Sequence, residues 1–129
     1  MDAQTWTAAR QAASHPQDAV LQRLEHLQVP LAVLTNNGAL MVQALPQLLP
    51  GLFPALQGRV FCSADFGLRK PQPAVFQRVL EVLQVAPAHT LFVDDLFANV
   101  RGARAAGLHA ETVRGGRGLG KVLKRYAVR

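Results

Sequence analysis

The sequence predicts an α/β fold built on a parallel sheet, and three observations predict it. Short apolar runs of strand-forming residues, Pro30 to Thr35, Arg59 to Cys62 and Thr90 to Val93, are each followed by apolar residues at helical spacing. The order helix, strand, helix, strand, helix, strand, helix, strand, helix demands crossover connections, and hence parallel strands. Each run ends on polar residues, and in open α/β sheets ligands bind beyond the carboxyl ends of the strands.

The elements follow in order. Ser14 and Gln17 form a capping-box pair and Pro16 fits a first turn. Val20, Leu21, Leu24 and Leu27 then recur at helical spacing until Pro30 stops the helix. The run ending at Thr35 reads as a buried strand, with Asn36, Asn37 and Gly38 as its turn. A helix from Ala39 to about Leu49 is limited by Pro46 and Pro50, and 51–58 reads as a proline- and glycine-bearing loop. Arg59 to Cys62 is the second strand, and 63–71 (SADFGLRKP) is the loop after it. The helix from about Pro73 to Gln84 buries Val75, Phe76, Val79, Leu80 and Leu83. Thr90 to Val93 is the third strand. The helix after Asp95 carries Val100, Ala103 and Ala106, and Gly107 suits a left-handed stop. His109 to Val113 is a last short strand, followed by a glycine-rich bend and a basic helix from about Gly120 to Tyr126.

The 129 residues suit a single domain, with 1–13 as a remnant of a preceding element and 114–129 as a basic C-terminal segment. Half the residues are apolar, enough for a real core. No apolar run approaches the ~18–20 residues that span a bilayer. The N-terminus lacks the basic-then-apolar pattern of a secretory signal. The single cysteine, Cys62, permits no disulfide within the chain and reads as a buried thiol. These features point to a cytoplasmic protein with no membrane partner.

The net charge of +6 is uneven, because Arg114, Arg117, Lys121, Lys124, Arg125 and Arg129 crowd the C-terminus. Such a run can track phosphates, but no nucleic-acid motif accompanies it and Tyr126 is its one aromatic residue. A solvated face is the simpler reading. Gly115 to Val122 (GGRGLGKV) matches the first seven positions of a P-loop, yet Val122 stands where a Ser or Thr would hold the metal. It reads as a flexible bend. His15, His26, His89 and His109 have no ligand spacing and read as surface or edge residues.

Three polar clusters fall at strand ends: Thr35-Asn36-Asn37, Arg69-Lys70 and Asp94-Asp95. Adjacent carboxylates raise each other's pKa, and a divalent cation relieves that cost. Taken alone, the aspartate pair equally suits a helix N-terminus. Together, a hydroxyl, an amide, an ammonium and paired carboxylates describe a phosphate site with Mg²⁺, a hard cation that takes oxygen ligands.

These residues, in this order, resemble the haloacid dehalogenase (HAD) superfamily. VLTNN resembles the family's second motif, FGLRKP its third and LFVDDLFANVRGARAAG its fourth, over roughly Ser14 to Val113. SADFGLRKPQPAVFQRVL is similar to the branch of small sugar-phosphate phosphatases and the phosphatase-like domains of epoxide hydrolases. The resemblance implies a three-layer Rossmann-like core and phosphate-monoester hydrolysis through an aspartyl intermediate, with a small phosphorylated metabolite as substrate. It implies that Thr35 and Lys70 are catalytic, with Asn36 beside them as a substrate donor. Asp94 and Asp95 would ligate Mg²⁺, Asp94 directly, and Asn99 would brace the loop.

One motif is missing. The family's first motif is an Asp-x-Asp at the end of the first strand, and none of Asp2, Asp18, Asp65, Asp94 and Asp95 stands in one. The first strand and the cap are therefore expected to be absent, as in a truncated chain, with 1–13 as a remnant of the cap. An activated nucleophile is needed for covalent transfer, so the chain alone is expected to be inactive. The absent strand is central in the family, and its unpaired neighbours would be costly. Three ways of closing the gap are expected: direct pairing of the flanking strands, a second copy of the chain, or a separate completing chain. The alternatives to a hydrolase are a non-catalytic remnant that binds phosphate or a protein, and nucleotide or nucleic-acid binding through the basic end.

Overall fold

The computed structural model describes residues 5–9 and 25–128. Five strands form one sheet: β1 (Thr5–Ala9), β2 (Leu31–Thr35), β3 (Val60–Cys62), β4 (Thr90–Asp94) and β5 (His109–Thr112). Their order is β3-β2-β1-β4-β5, and every neighbouring pair is parallel. Among the described residues the helices are α1 (Ala39–Leu48), α2 (Pro73–Leu83), α3 (Phe97–Ala105) and α4 (Gly115–Arg125).

Strand periodicity divides the core into two layers, because successive side chains point to opposite faces. Leu31 and Val33 of β2 and Leu91 and Val93 of β4 face one side, with Leu45 of α1 and Leu119, Val122 and Leu123 of α4. Ala32, Leu34 and Phe92 face the other, with Val75, Phe76, Val79 and Leu80 of α2 and Val100 and Ala103 of α3. Phe76 meets Phe92 edge to face, with ring centroids 4.9 Å apart. The predicted three-layer α/β parallel fold is the fold of the chain.

The expected loss of the first strand is corrected. Thr5–Ala9 fills the central position, pairing with β2 on one side and β4 on the other. None of the three expected closures is used; the chain's own N-terminal segment closes the sheet. TWTAA has no apolar burst and no terminal aspartate, so periodicity gives it no signal. Open ladders on β2 and β4 recruit it through backbone hydrogen bonds that any non-proline sequence can make. The segment 1–13, expected as a cap remnant, therefore carries core backbone at 5–9.

Other departures are local. α1 continues through Pro46 to Leu48, held from beneath by buried Leu45 and Leu49. The loop 51–58 is not featureless: a single 3₁₀ turn, Pro50–Leu52, leads into turns that bury Leu52 and Leu56. The expected glycine-rich bend is helical, since α4 starts at Gly115. Each helical glycine costs about 1 kcal/mol against alanine, but burial of Leu119, Val122 and Leu123 outweighs that. A P-loop presents a loop to phosphate, whereas this segment is helix. The helix expected from Ser14 lies outside the described residues except at its end, where Leu27 packs against the core. Among the described residues, no helix is long and apolar enough to cross a membrane.

Candidate functional site

Parallel pairing puts the carboxyl ends of β2 and β4 on one rim, on either side of β1. Thr35 is the last residue of β2 and Asp94 the last of β4. Lys70 arrives from the loop after β3. Its Nζ donates to Asp94 Oδ2 at 3.3 Å and to the Leu34 carbonyl at 3.2 Å. Lys70 and Asp94 thus meet, Thr35 follows the Leu34 whose carbonyl takes the Lys70 amine, and all three are buried.

The Asp94 carboxylate is densely engaged. Oδ2 accepts from Lys70 and from Asn99 Nδ2, the latter at 3.0 Å, while Oδ1 accepts the Leu96 backbone N–H at 2.9 Å. Asn99 makes this bond from the first turn of α3, reaching back to the end of β4. Asp95 is exposed. Burial pushes the Lys70 amine below the ordinary lysine range, opposed by the Asp94 charge. Burial pushes the Asp94 carboxyl above its ordinary range, opposed chiefly by Lys70.

Asn36 is tied to the Lys70 loop. Its Nδ2 donates to the Lys70 carbonyl at 3.2 Å, and its Oδ1 accepts the Lys70 N–H at 2.9 Å and the Ser63 hydroxyl at 2.8 Å. The amide thus clamps the Lys70 backbone from both sides. Thr35 Oγ1 accepts the Asn37 N–H at 3.0 Å. It closes the turn rather than capping α1, whose N-cap Gly38 has no side-chain bond. Cys62, buried as expected, donates to the Asn37 carbonyl.

Sequence reading missed Ser63, the Leu34 carbonyl and Gly102. Ser63 sits in the 3₁₀ turn after β3 and has no distinguishing context. Gly102, inside α3 and packed on the Pro71 carbonyl, did leave a signal: a glycine within a helical pattern marks a close approach. His26, His89 and His109 are exposed, as expected; His15 lies outside the described residues.

A model of the haloacid dehalogenase-like hydrolases matches residues 9–107. The chain belongs to this family. It is 39% identical over 83 residues to Phosphatase MT3486 of Mycobacterium tuberculosis, an alignment covering 64% of this chain and 38% of that protein. The chain thus spans well under half the length of this curated relative. An uncharacterized protein of Corynebacterium glutamicum superposes with a TM-score of 0.79 at 21% identity, covering 99% of this chain and 98% of that one. L-2-haloacid dehalogenase of Xanthobacter autotrophicus superposes with a TM-score of 0.67 at 30% identity, covering 84% of this chain and 45% of that one.

The HAD resemblance raises the question of Mg²⁺, and the described residues do not fit it. Mg²⁺ demands near-octahedral oxygen coordination. Both lone pairs of Asp94 Oδ2 are taken, and Oδ1 already accepts a backbone N–H. Among the described residues, no three His, Cys, Asp or Glu side chains gather to hold a metal. At the end of β1, Ala8 lies in register with Val93, the residue before Asp94, and neither it nor Ala9 after it is an acid.

Proposed function

We propose that this HAD-like chain is a hydrolase of the phosphatase type by descent and catalytically silent as it stands. The descent rests on its similarity to a curated phosphatase and on the order of Thr35, Lys70 and Asp94-Asp95 along the chain. The silence rests on one observation: among the described residues, the central strand Thr5–Ala9, which lies between the strands carrying Thr35 and Asp94, holds no carboxylate. Covalent phosphoryl transfer needs an activated nucleophile at a reacting distance, and no described side chain supplies one there.

The remaining groups support the same reading. An ammonium has three N–H donors; two of Lys70's are spent on Asp94 and Leu34, leaving one. The Thr35 hydroxyl accepts from Asn37 and keeps its own proton to donate. Two donors could meet a phosphoryl oxygen of a small phosphorylated substrate. Against them stand one cation and two carboxylates, a balance that repels a phosphate dianion.

The test is turnover of p-nitrophenyl phosphate, with and without magnesium chloride. The expected result is no release of nitrophenol above a buffer blank. Measurable turnover that Asp94→Ala abolishes overturns the proposal.

A further inference from the structure

We propose that the Lys70 ammonium is the resident counter-cation of Asp94, so that this rim of the sheet takes no divalent metal. The inference rests on the reading of the site given above, but it concerns occupancy rather than turnover.

Charge and coordination lead to it together. Asp94 carries one negative charge on a side chain with no exposed surface, and Lys70 supplies one positive charge on a side chain 2% exposed. The pair is neutral as built, and a buried carboxylate needs that neutralisation. The ammonium also keeps a second acceptor, the Leu34 carbonyl, which belongs to the strand beside Thr35. Its backbone is clamped by Asn36, so the amine is delivered to Asp94 by a fixed loop rather than by a free surface side chain. A divalent ion at Asp94 Oδ2 would have to displace Lys70 or Asn99 and strand a buried donor. It would also arrive hydrated, while among the described residues the other carboxylate beside the pair is Asp95, which is exposed.

The test uses the full chain. Thermal unfolding and calorimetric titration are run with magnesium chloride, against sodium chloride at matched ionic strength to remove screening effects. The expected result is no rise in Tm beyond the sodium control and no saturable heat. Lys70→Met is expected to lower Tm sharply or prevent folding, because the carboxylate is left buried and unpaired. Adding Asp94→Asn to Lys70→Met is expected to restore folding and most of the lost Tm, so the double variant decides the matter whether or not the single one folds. Two results overturn the proposal. One is a saturable, magnesium-specific rise in wild-type Tm that Asp94→Asn abolishes. The other is a double variant no more stable than Lys70→Met. Turnover of the aryl phosphate in excess chelator would sink the functional reading and leave this inference standing; magnesium binding at Asp94 without turnover would do the reverse.

Discussion

Asn99 and Gly102 lie one turn apart on the same face of α3, and they connect that helix to the two halves of a buried ion pair. Asn99 donates to Asp94 Oδ2. Gly102 packs so closely on the carbonyl of Pro71, the residue after Lys70, that a β-carbon there would overlap its oxygen. One helix face thus sets the separation between the lysine loop and the aspartate strand.

Gly102→Ala is therefore expected to be destabilising, although alanine is the better helix former. The added carbon meets backbone that cannot rotate away, so the cost is that of overpacking, about 1–3 kcal/mol or more. Urea denaturation measures it. Stability equal to or above wild type would show that α3 moves freely over the Lys70 loop.

Asn36→Ala is expected to cost at least about 1–3 kcal/mol, because it leaves the Lys70 N–H and carbonyl and the Ser63 hydroxyl without their partner. The Lys70 amide should also exchange faster with deuterium than in wild type. Unchanged exchange there would mean that the clamp contributes nothing to holding the loop.

Arg104 protects an edge. Both Nε and Nη2 donate to the Ala110 carbonyl, at 3.1 and 2.9 Å. β5 pairs with β4 through alternate residues, Val113 donating to Asp94, so the Ala110 carbonyl faces away from the sheet. An uncovered strand edge invites pairing with another chain. Arg104→Ala should lose about 1 kcal/mol and show concentration-dependent association by light scattering. A variant that stays at the wild-type molecular mass at every concentration would refute the protective role.

Tyr126 is the sole tyrosine and donates to Glu111 Oε2 at 2.6 Å. Burial, and then the Glu111 hydrogen bond, raise its phenol above the ordinary value of 10.0. A raised folded pKa means that the stabilisation is fully present below pH 10 and is lost as pH climbs through the folded value. Tyrosinate absorbance near 295 nm should appear at higher pH in the folded chain than in denaturant. The stability advantage of wild type over Tyr126→Phe should hold steady up to about pH 10 and shrink above it. A folded titration at or below the denatured one would contradict this.

Much of the architecture was legible from the chain alone. Apolar runs at 30–35 and 90–93 and helical spacing over about 73–84 reflect burial, and burial writes a periodic pattern that local reading recovers to within a residue. Polar residues at strand ends placed Thr35, Lys70 and Asp94 on one rim because parallel topology leaves few other places for them. What tertiary structure decided was pairing. Thr5–Ala9 has no periodic signature and becomes the central strand because two neighbouring ladders need a partner. Gly115 to Gly118 looks like a bend and becomes helix because Leu119, Val122 and Leu123 are buried together. That Asn36 clamps the Lys70 backbone was not legible in the sequence, since the partners of an amide depend on which backbone the fold brings within hydrogen-bond distance of it. Side-chain type fixes which bonds a residue is able to make; only the distances set by the fold select among them.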